Sequence, residues 1–432
     1  MSIIIHFVYS LLLFAAFLIY GPFYIKRMKK GSHYRPDLWK RFGFVMPKPR
    51  PKKGFRILIH AVSVGETRAV IPVVKELKAR IRDLEIYLTT TTGTGQKTAE
   101  QIGKELDRVL YFPIDFGFIN AAFLRRIRPD CICLTETEIW PNFVQVASKF
   151  KIPLVLINGR ISDKSYRNYR LVRPFFRHLL RKFHALCMQS DLDAVRILSL
   201  GAEREKVRVT GNMKFDLGHL SLESSKVSAL RKKLGIMEGQ PVLVAGSTHP
   251  GEEDLIIRAY KTLQATYPDH VLIVAPRHIE RSESISNIIQ EAGMKVILWS
   301  GFPEKGKIGR GDVLLIDVIG ILVRIYSLAT IVVMGGSFIP HGGQNPLEPA
   351  FFGKPILFGP HMENFRAIST LLMDAGGAMM ISEGDLLKTL SGLLADKEGR
   401  EKMGMAARGV LAANQGSADR TCNEIIRVLN GD

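Results

Sequence analysis

Glu66 closes the run "ILIHAVSVGE" (Ile57–Glu66), a carboxylate on the loop leaving an apolar, strand-like segment. An acid at a strand mouth can take the proton of a hydroxyl that is becoming a nucleophile. It can equally stabilise the start of the next helix through the helix dipole. On the residues alone both readings stand. Other polar groups occupy equivalent places: Glu136 and Glu138 in "CLTETEIWPN", Lys214 in "VTGNMKFD", Ser247 and Thr248 in "VAGSTHPGEED", Arg277 in "VAPRHIER". Carboxylates suit proton transfer, whereas lysine and arginine suit phosphates and sugar carboxylates.

The densest stretch is "MGGSFIPHGGQNPLEPAFFGKPILFGPHMENF" (Met334–Phe365). Two glycines end a strand and allow close backbone approach to a ligand. A second Gly-Gly pair precedes Asn345, Pro346 fits the first position of a helix, and Glu348 falls in its first turn. Such a helix start suits a phosphate, and Glu348 could bind ribose hydroxyls. The competing reading has Asn345 as helix cap and Glu348 completing a capping box, which leaves four nearby glycines unexplained. Three other signals carry no site. "DLD" (Asp191–Asp193) reads as a helix start capped by Asp191 rather than a metal pair. The 11 histidines lack H-x-x-x-H spacing, and His60 reads as packed. "TTTTGTGQ" lacks the full dinucleotide-loop spacing, though it could line the acceptor side.

The elements that would position these groups are short apolar strands separated by helix-length gaps. "RILIHA", "LEIYLTTTT", "RVLYFP", "CICLTE", "PLVLIN", "ALCMQS" and "VRVTG" form one series. "PVLVAGS", "HVLIVAP", "KVILWS", "DVLLID", "TIVVMGGS", "KPILFG" and "GAMMIS" form a second, after a polar stretch near residues 217–240. Continuous apolar strands indicate parallel sheets covered on both faces, so two doubly wound α/β halves are expected. A chain of 432 residues can hold both cores. The 4 cysteines offer no disulfide framework, which indicates a reducing compartment.

From Ile3 to Ile25 only His6 can carry charge, and basic residues follow as "KRMKK". This reads as a retained membrane anchor, spanning or partly embedded, with its basic side cytoplasmic. Between Lys26 and Arg56 there are 12 Lys/Arg against one acid, out of a net charge of +19. A second basic cluster (Arg160–Phe183) is interleaved with aromatic residues; a solvated amphipathic helix and a lipid-facing surface both fit it. No nucleic-acid motif accompanies either cluster, so an anionic membrane surface is the expected partner.

In this order the anchor, "HAVSVGE", "TETEIWPN", "TGNMKFD", "APRH", "GGSF" and "GGQNPLEPAFFGKPILFGPHMENF" resemble the 3-deoxy-D-manno-octulosonic acid (Kdo) transferases of lipopolysaccharide synthesis. The resemblance implies a GT-B glycosyltransferase: an α/β chain of two Rossmann-like domains facing across a cleft. It implies inverting transfer of Kdo from CMP-Kdo to a lipid A precursor (lipid IVA), at the cytoplasmic face of the inner membrane. No metal or other cofactor is expected. The corresponding boundaries are an anchor over 1–30, an acceptor domain over 31–216, a linker over 217–240 and a nucleotide-sugar domain over 241–432. By motif, Glu66 matches the family's catalytic base, and Glu136 and Lys214 match its transition-state stabilising pair. Nucleotide binding maps to Pro276 and Arg277, to Ile319, Gly320 and Ile321, to Gly336 and Ser337, and to Asn345, Pro346, Leu347 and Glu348. Ile321 departs from the family, whose members usually carry an acid there. Lys214 could meet either the sugar's carboxylate or the leaving phosphate. Another GT-B nucleotide-sugar enzyme, a transferase with a different donor or an epimerase, is the alternative.

Overall fold

The structure is a computed structural model that describes residues 8–15, 18–19, 38–44, 51, 54–217, 224–303 and 306–431. Residues 1–7, 16–17 and 20–30 of the expected anchor lie outside the described residues, as do most of the basic stretch and residues 218–223. The chain divides into two units, residues 1–216 with 414–432, and residues 217–413.

The two series of apolar runs are two seven-stranded sheets in which every pairing is parallel. Unit 1 contributes β1 (Arg56–His60), β2 (Glu85–Thr90), β3 (Arg108–Tyr111), β4 (Cys131–Thr135), β5 (Leu154–Gly159), β6 (Ala185–Met188) and β7 (Val207–Val209). They are ordered β3-β2-β1-β4-β5-β6-β7. Unit 2 contributes β8 (Val242–Thr248), β9 (Val271–Pro276), β10 (Val296–Leu298), β11 (Val313–Leu315), β12 (Ile331–Met334), β13 (Ile356–Phe358) and β14 (Ala378–Met380). Their order is β10-β11-β9-β8-β12-β13-β14. In both sheets the chain starts in the middle, builds one way, then returns past its first strand. The reversal lies between β1 and β4 in unit 1 and between β8 and β12 in unit 2.

The strands are apolar throughout because both faces are covered. Along β4, Ile132 and Leu134 join one core, while Cys131 and Cys133 join the core on the other face. All 4 cysteines are buried free thiols. The last helix, Ser417–Asn430, was expected in the second domain and belongs instead to unit 1. Ala418, Cys422, Ile425 and Val428 recur at helical spacing, and that stripe packs with Ile57 and Ile59 of β1. The Asp216 carboxylate fixes its start by accepting from the N–H groups of Gly416 (2.7 Å) and Ala418 (2.6 Å).

Residues 8–15 and 18–19 are helical. Leu11, Leu12, Phe14, Leu18 and Ile19 are exposed, whereas the Tyr9 hydroxyl donates to Asp115 of unit 1 (3.0 Å). Among the described residues no helix is long and apolar enough to cross a membrane.

Candidate active site

In open parallel sheets ligands collect beyond the carboxyl ends of the strands where strand order reverses. In unit 1 that place is the turn after β1, which leads into the helix whose first turn carries Glu66, and the loop after its neighbour β4, carrying Glu136 and Glu138.

Ser63 caps the helix Val64–Arg80, its hydroxyl accepting from the Glu66 N–H (3.3 Å) and donating to Glu66 Oε1 (2.8 Å). Glu66 Oε2 accepts from the Val62 N–H (2.9 Å) and from the Thr135 hydroxyl (2.7 Å). The Thr92 hydroxyl braces the same turn by donating to the Val62 carbonyl (3.1 Å). The capping reading of Glu66 is therefore realised in geometry, and it does not exclude chemistry. A carboxylate has about four acceptor directions; three are taken here, and one on Oε1 is left for a hydroxyl proton. Thr135, at the end of β4, ties the two loops together through Glu66.

Glu136 adopts a left-handed backbone (φ 51°), an uncommon conformation for a side-chain-bearing residue and one that collects at functional sites. Its carboxylate meets the Lys214 ammonium at 3.1 Å, with both side chains about a quarter exposed (23% and 24%). The structure thus brings together two residues far apart in sequence. Glu138 was not assigned a role from sequence. Burial, then the negative charges of Glu66 and Glu136, push its carboxyl up to about 7. Three carboxylates and one lysine therefore share this neighbourhood.

His60 lies beneath, wholly buried and stacked on Phe112 at 3.8 Å. Burial lowers its pKa to about 3, so it packs as a neutral ring. In "DLD" the cap is Ser190 rather than Asp191; its hydroxyl accepts from the Asp193 N–H, and Asp193 accepts from the Ile161 N–H (2.8 Å).

The reversal point of unit 2 is the glycine loop after β12, beside β8. This loop presents N–H groups, but a buried side chain already takes them. Glu252 Oε1 accepts from Ser337 (2.9 Å) and Phe338 (3.0 Å); Oε2 accepts from Gly336 (2.7 Å) and His249 (2.9 Å). Gly336 and Ser337 therefore offer a ligand close backbone rather than amide donors. Gly335 is required for another reason: a Cβ there would stand 2.2 Å from the Ser247 carbonyl oxygen.

Around this loop lie groups that the sequence reading missed. The His249 and His341 rings approach to 3.9 Å, His278 lies 5.8 Å from His249, and the Gln344 amide nitrogen is 3.1 Å from His249 Nε2. Burial, then His341, His278, Arg277 and Arg281, lower His249 to about 4. The wall is basic without His249 being charged. Arg277 is exposed just beyond Pro276, the last residue of β9. The short helix Leu347–Phe351 starts one residue later than expected, with Pro346 at its cap. Asn345 Oδ1 accepts from the Leu347 N–H (3.2 Å), and Glu348 is in the first turn. Leu347 is buried, so only its backbone could face a ligand. Ile319 is 86% exposed at the tip after β11, followed by Gly320 in a left-handed conformation (φ 93°) and Ile321 at the cap of the helix Leu322–Leu328. The signal for Glu252 was present in "HPGEED": an acid in the first turn of the helix after β8, the strand beside β12.

Two open parallel sheets with polar groups beyond each strand-order reversal place the chain among α/β proteins built like GT-B glycosyltransferases and nucleotide-sugar epimerases. UDP-GlcNAc 2-epimerase from Neisseria meningitidis, bound to UDP-GlcNAc, matches at TM-score 0.58 and 16% identity, covering 88% of this chain and 100% of that one. Anabaena Alr3699/HepE in complex with UDP matches at TM-score 0.56 and 15% identity, with coverages of 88% and 100%. These likenesses concern the fold. The sequence goes further. Residues 37–217 match the family model for 3-Deoxy-D-manno-octulosonic-acid transferase (kdotransferase). The 3-deoxy-D-manno-octulosonic acid transferase of Haemophilus influenzae is 32% identical over 396 residues, 90% of this chain and 91% of that protein. That of Bordetella pertussis is 32% identical over 402 residues, 91% of each. The chain belongs to the Kdo transferase family and is a glycosyltransferase.

Proposed function

We propose that the chain moves Kdo from CMP-Kdo to a lipid A precursor, with inversion and with Glu66 as the base. The observation that carries the reading is the setting of Glu66: fixed at the unit 1 reversal point by three donors, with one acceptor direction open. Glu66 takes the proton of the acceptor hydroxyl as its oxygen bonds to the Kdo anomeric carbon. The bond from that carbon to the phosphate oxygen breaks, and cytidine monophosphate leaves with the electron pair. The sugar centre is cationic in the transition state, and Glu136, oriented by Lys214, supplies negative charge near it. Unit 2 holds the nucleotide, Arg277 absorbing phosphate charge while the segments at Ile319–Ile321, Gly336–Ser337 and Asn345–Glu348 shape the rest. No step in this sequence calls on a metal.

Exposed Leu11, Leu12, Phe14, Leu18 and Ile19 support attachment to a membrane, which we take to be the inner membrane at its cytoplasmic face. Tyr9 lies 6.4 Å, ring to ring, from Phe175 of the basic helix Arg173–Leu180. An apolar face beside a basic one suits an anionic lipid surface. The test is mass spectrometry of a lipid A precursor incubated with the purified chain and CMP-Kdo. The expected product gains Kdo; consumption of a uridine-linked sugar instead would favour another GT-B activity.

A further inference from the structure

Asp115 is 1% exposed in unit 1 and is surrounded by donors from three places in the sequence. Oδ1 accepts from Asn120 Nδ2 (2.8 Å) and the Phe143 N–H (2.7 Å); Oδ2 accepts from the Asn142 N–H (3.0 Å) and the Tyr9 hydroxyl (3.0 Å). Asn142 Nδ2 donates to the Asp115 carbonyl (2.7 Å), and Ser10 donates to Asn142 Oδ1 (3.2 Å). Asn142 and Phe143 lie in the first turn of the helix Pro141–Lys149, whose cap residue Trp140 provides no side-chain hydrogen bond. Asp115 therefore satisfies that helix start from a distance. The same helix start is the far end of the loop that carries Glu136 and Glu138; its near end is tied to Glu66 by Thr135.

We propose that the N-terminal apolar segment positions the acceptor-side loop: Tyr9, acting through Asp115, holds the head of the helix Pro141–Lys149 and with it Glu136 and Glu138. The inference rests on the reading of that loop as part of the transfer site. A tyrosine that only holds a segment at a lipid interface turns its hydroxyl to water or headgroups. A hydroxyl bonded to a buried carboxylate 106 residues away serves the protein's own geometry. Tyr9 and Asp115 are positioning residues, touching the site only through the helix.

The experiment compares the full chain with its Tyr9→Phe variant in detergent micelles, where lipid attachment plays no part. The chain has 3 tryptophans; Trp39→Phe with Trp299→Phe leaves Trp140, at the helix cap, as sole reporter. In Tyr9→Phe the kcat/KM for the lipid acceptor should fall about threefold to tenfold, the worth of one hydrogen bond. The KM for donor should stay unchanged and Trp140 emission should shift. Val195→Ser, altering an exposed side chain of unit 1 away from both the segment and the loop, should do neither. Wild-type kcat/KM with unshifted Trp140 emission in Tyr9→Phe overturns the proposal, as does an equal rise in donor KM. If the unsubstituted chain transfers no sugar, the assigned function fails, while Trp140 emission still decides whether Tyr9 holds the loop.

Discussion

Substituting Glu252→Gln tests what shapes the glycine loop of unit 2. The carboxylate gives two acceptor oxygens to four backbone donors, two on each oxygen. In the glutamine one oxygen becomes an NH2 group. Whichever way the amide turns, two backbone N–H groups lose their acceptor and face new donors, in a place 1% exposed to water. A buried donor without a partner costs about 1–3 kcal/mol, so unit 2 should lose about 2–6 kcal/mol. Trp299 is the tryptophan of unit 2, so a Trp39→Phe/Trp140→Phe background confines the fluorescence signal to that unit. Urea titration should then show a lower midpoint at unchanged slope, with weaker CMP binding measured by calorimetry. The exposed Glu280→Gln serves as control and should be silent. If Glu252→Gln shifts stability by less than about 0.5 kcal/mol, as an ordinary surface change does, the carboxylate does not hold the loop and the reasoning fails.

Three further outcomes follow from unit 1. The Glu138 carboxyl is raised to about 7, so its contribution to stability is full below the unfolded value and is lost as pH climbs through 7; urea midpoints against pH should flatten in Glu138→Gln. His60 works in the opposite sense: lowered to about 3, it supports the fold above about 6.5 and withdraws that support as pH falls towards 3. The full shift is worth up to about 5 kcal/mol, and acid titration of His60→Gln beside the parent chain measures it. Lys214→Met should leave the melting temperature nearly unchanged, because a partly exposed pair is worth about 1 kcal/mol or less. Its kcat should nonetheless fall about a hundredfold, because Glu136 loses the partner that aims its negative charge at the transition state.

The strands were legible because each is a continuous apolar run bounded by turn residues, and the expected runs correspond to β1 through β14. The sheet assignment of the last helix was not legible. The spacing of Ala418, Cys422, Ile425 and Val428 announces an amphipathic helix but not which core receives it. Glu66 was legible as a residue of interest, yet its two readings could not be separated, because the same carboxylate both caps and retains an open acceptor direction. The Glu136–Lys214 pair joins residues 78 apart, and only the parallel sheet brings them within 3.1 Å. Gly336 and Ser337 were legible as close backbone, but what holds them was not, because glycine pairs look alike whether their N–H groups face a ligand or a buried acid. Glu252, which decides between those cases, lies 84 residues earlier.

The most direct measurement is a paired one on Glu66→Gln: calorimetric binding of CMP-Kdo, and the rate of Kdo transfer to the lipid acceptor. Glutamine keeps the shape but cannot accept the hydroxyl proton. Donor affinity should stay at the parent value while transfer falls by at least about a hundredfold, the lower end of what a general base supplies. Transfer within about threefold of the parent rate would contradict the account and leave Glu66 as a helix cap alone, since a base supplies far more than that.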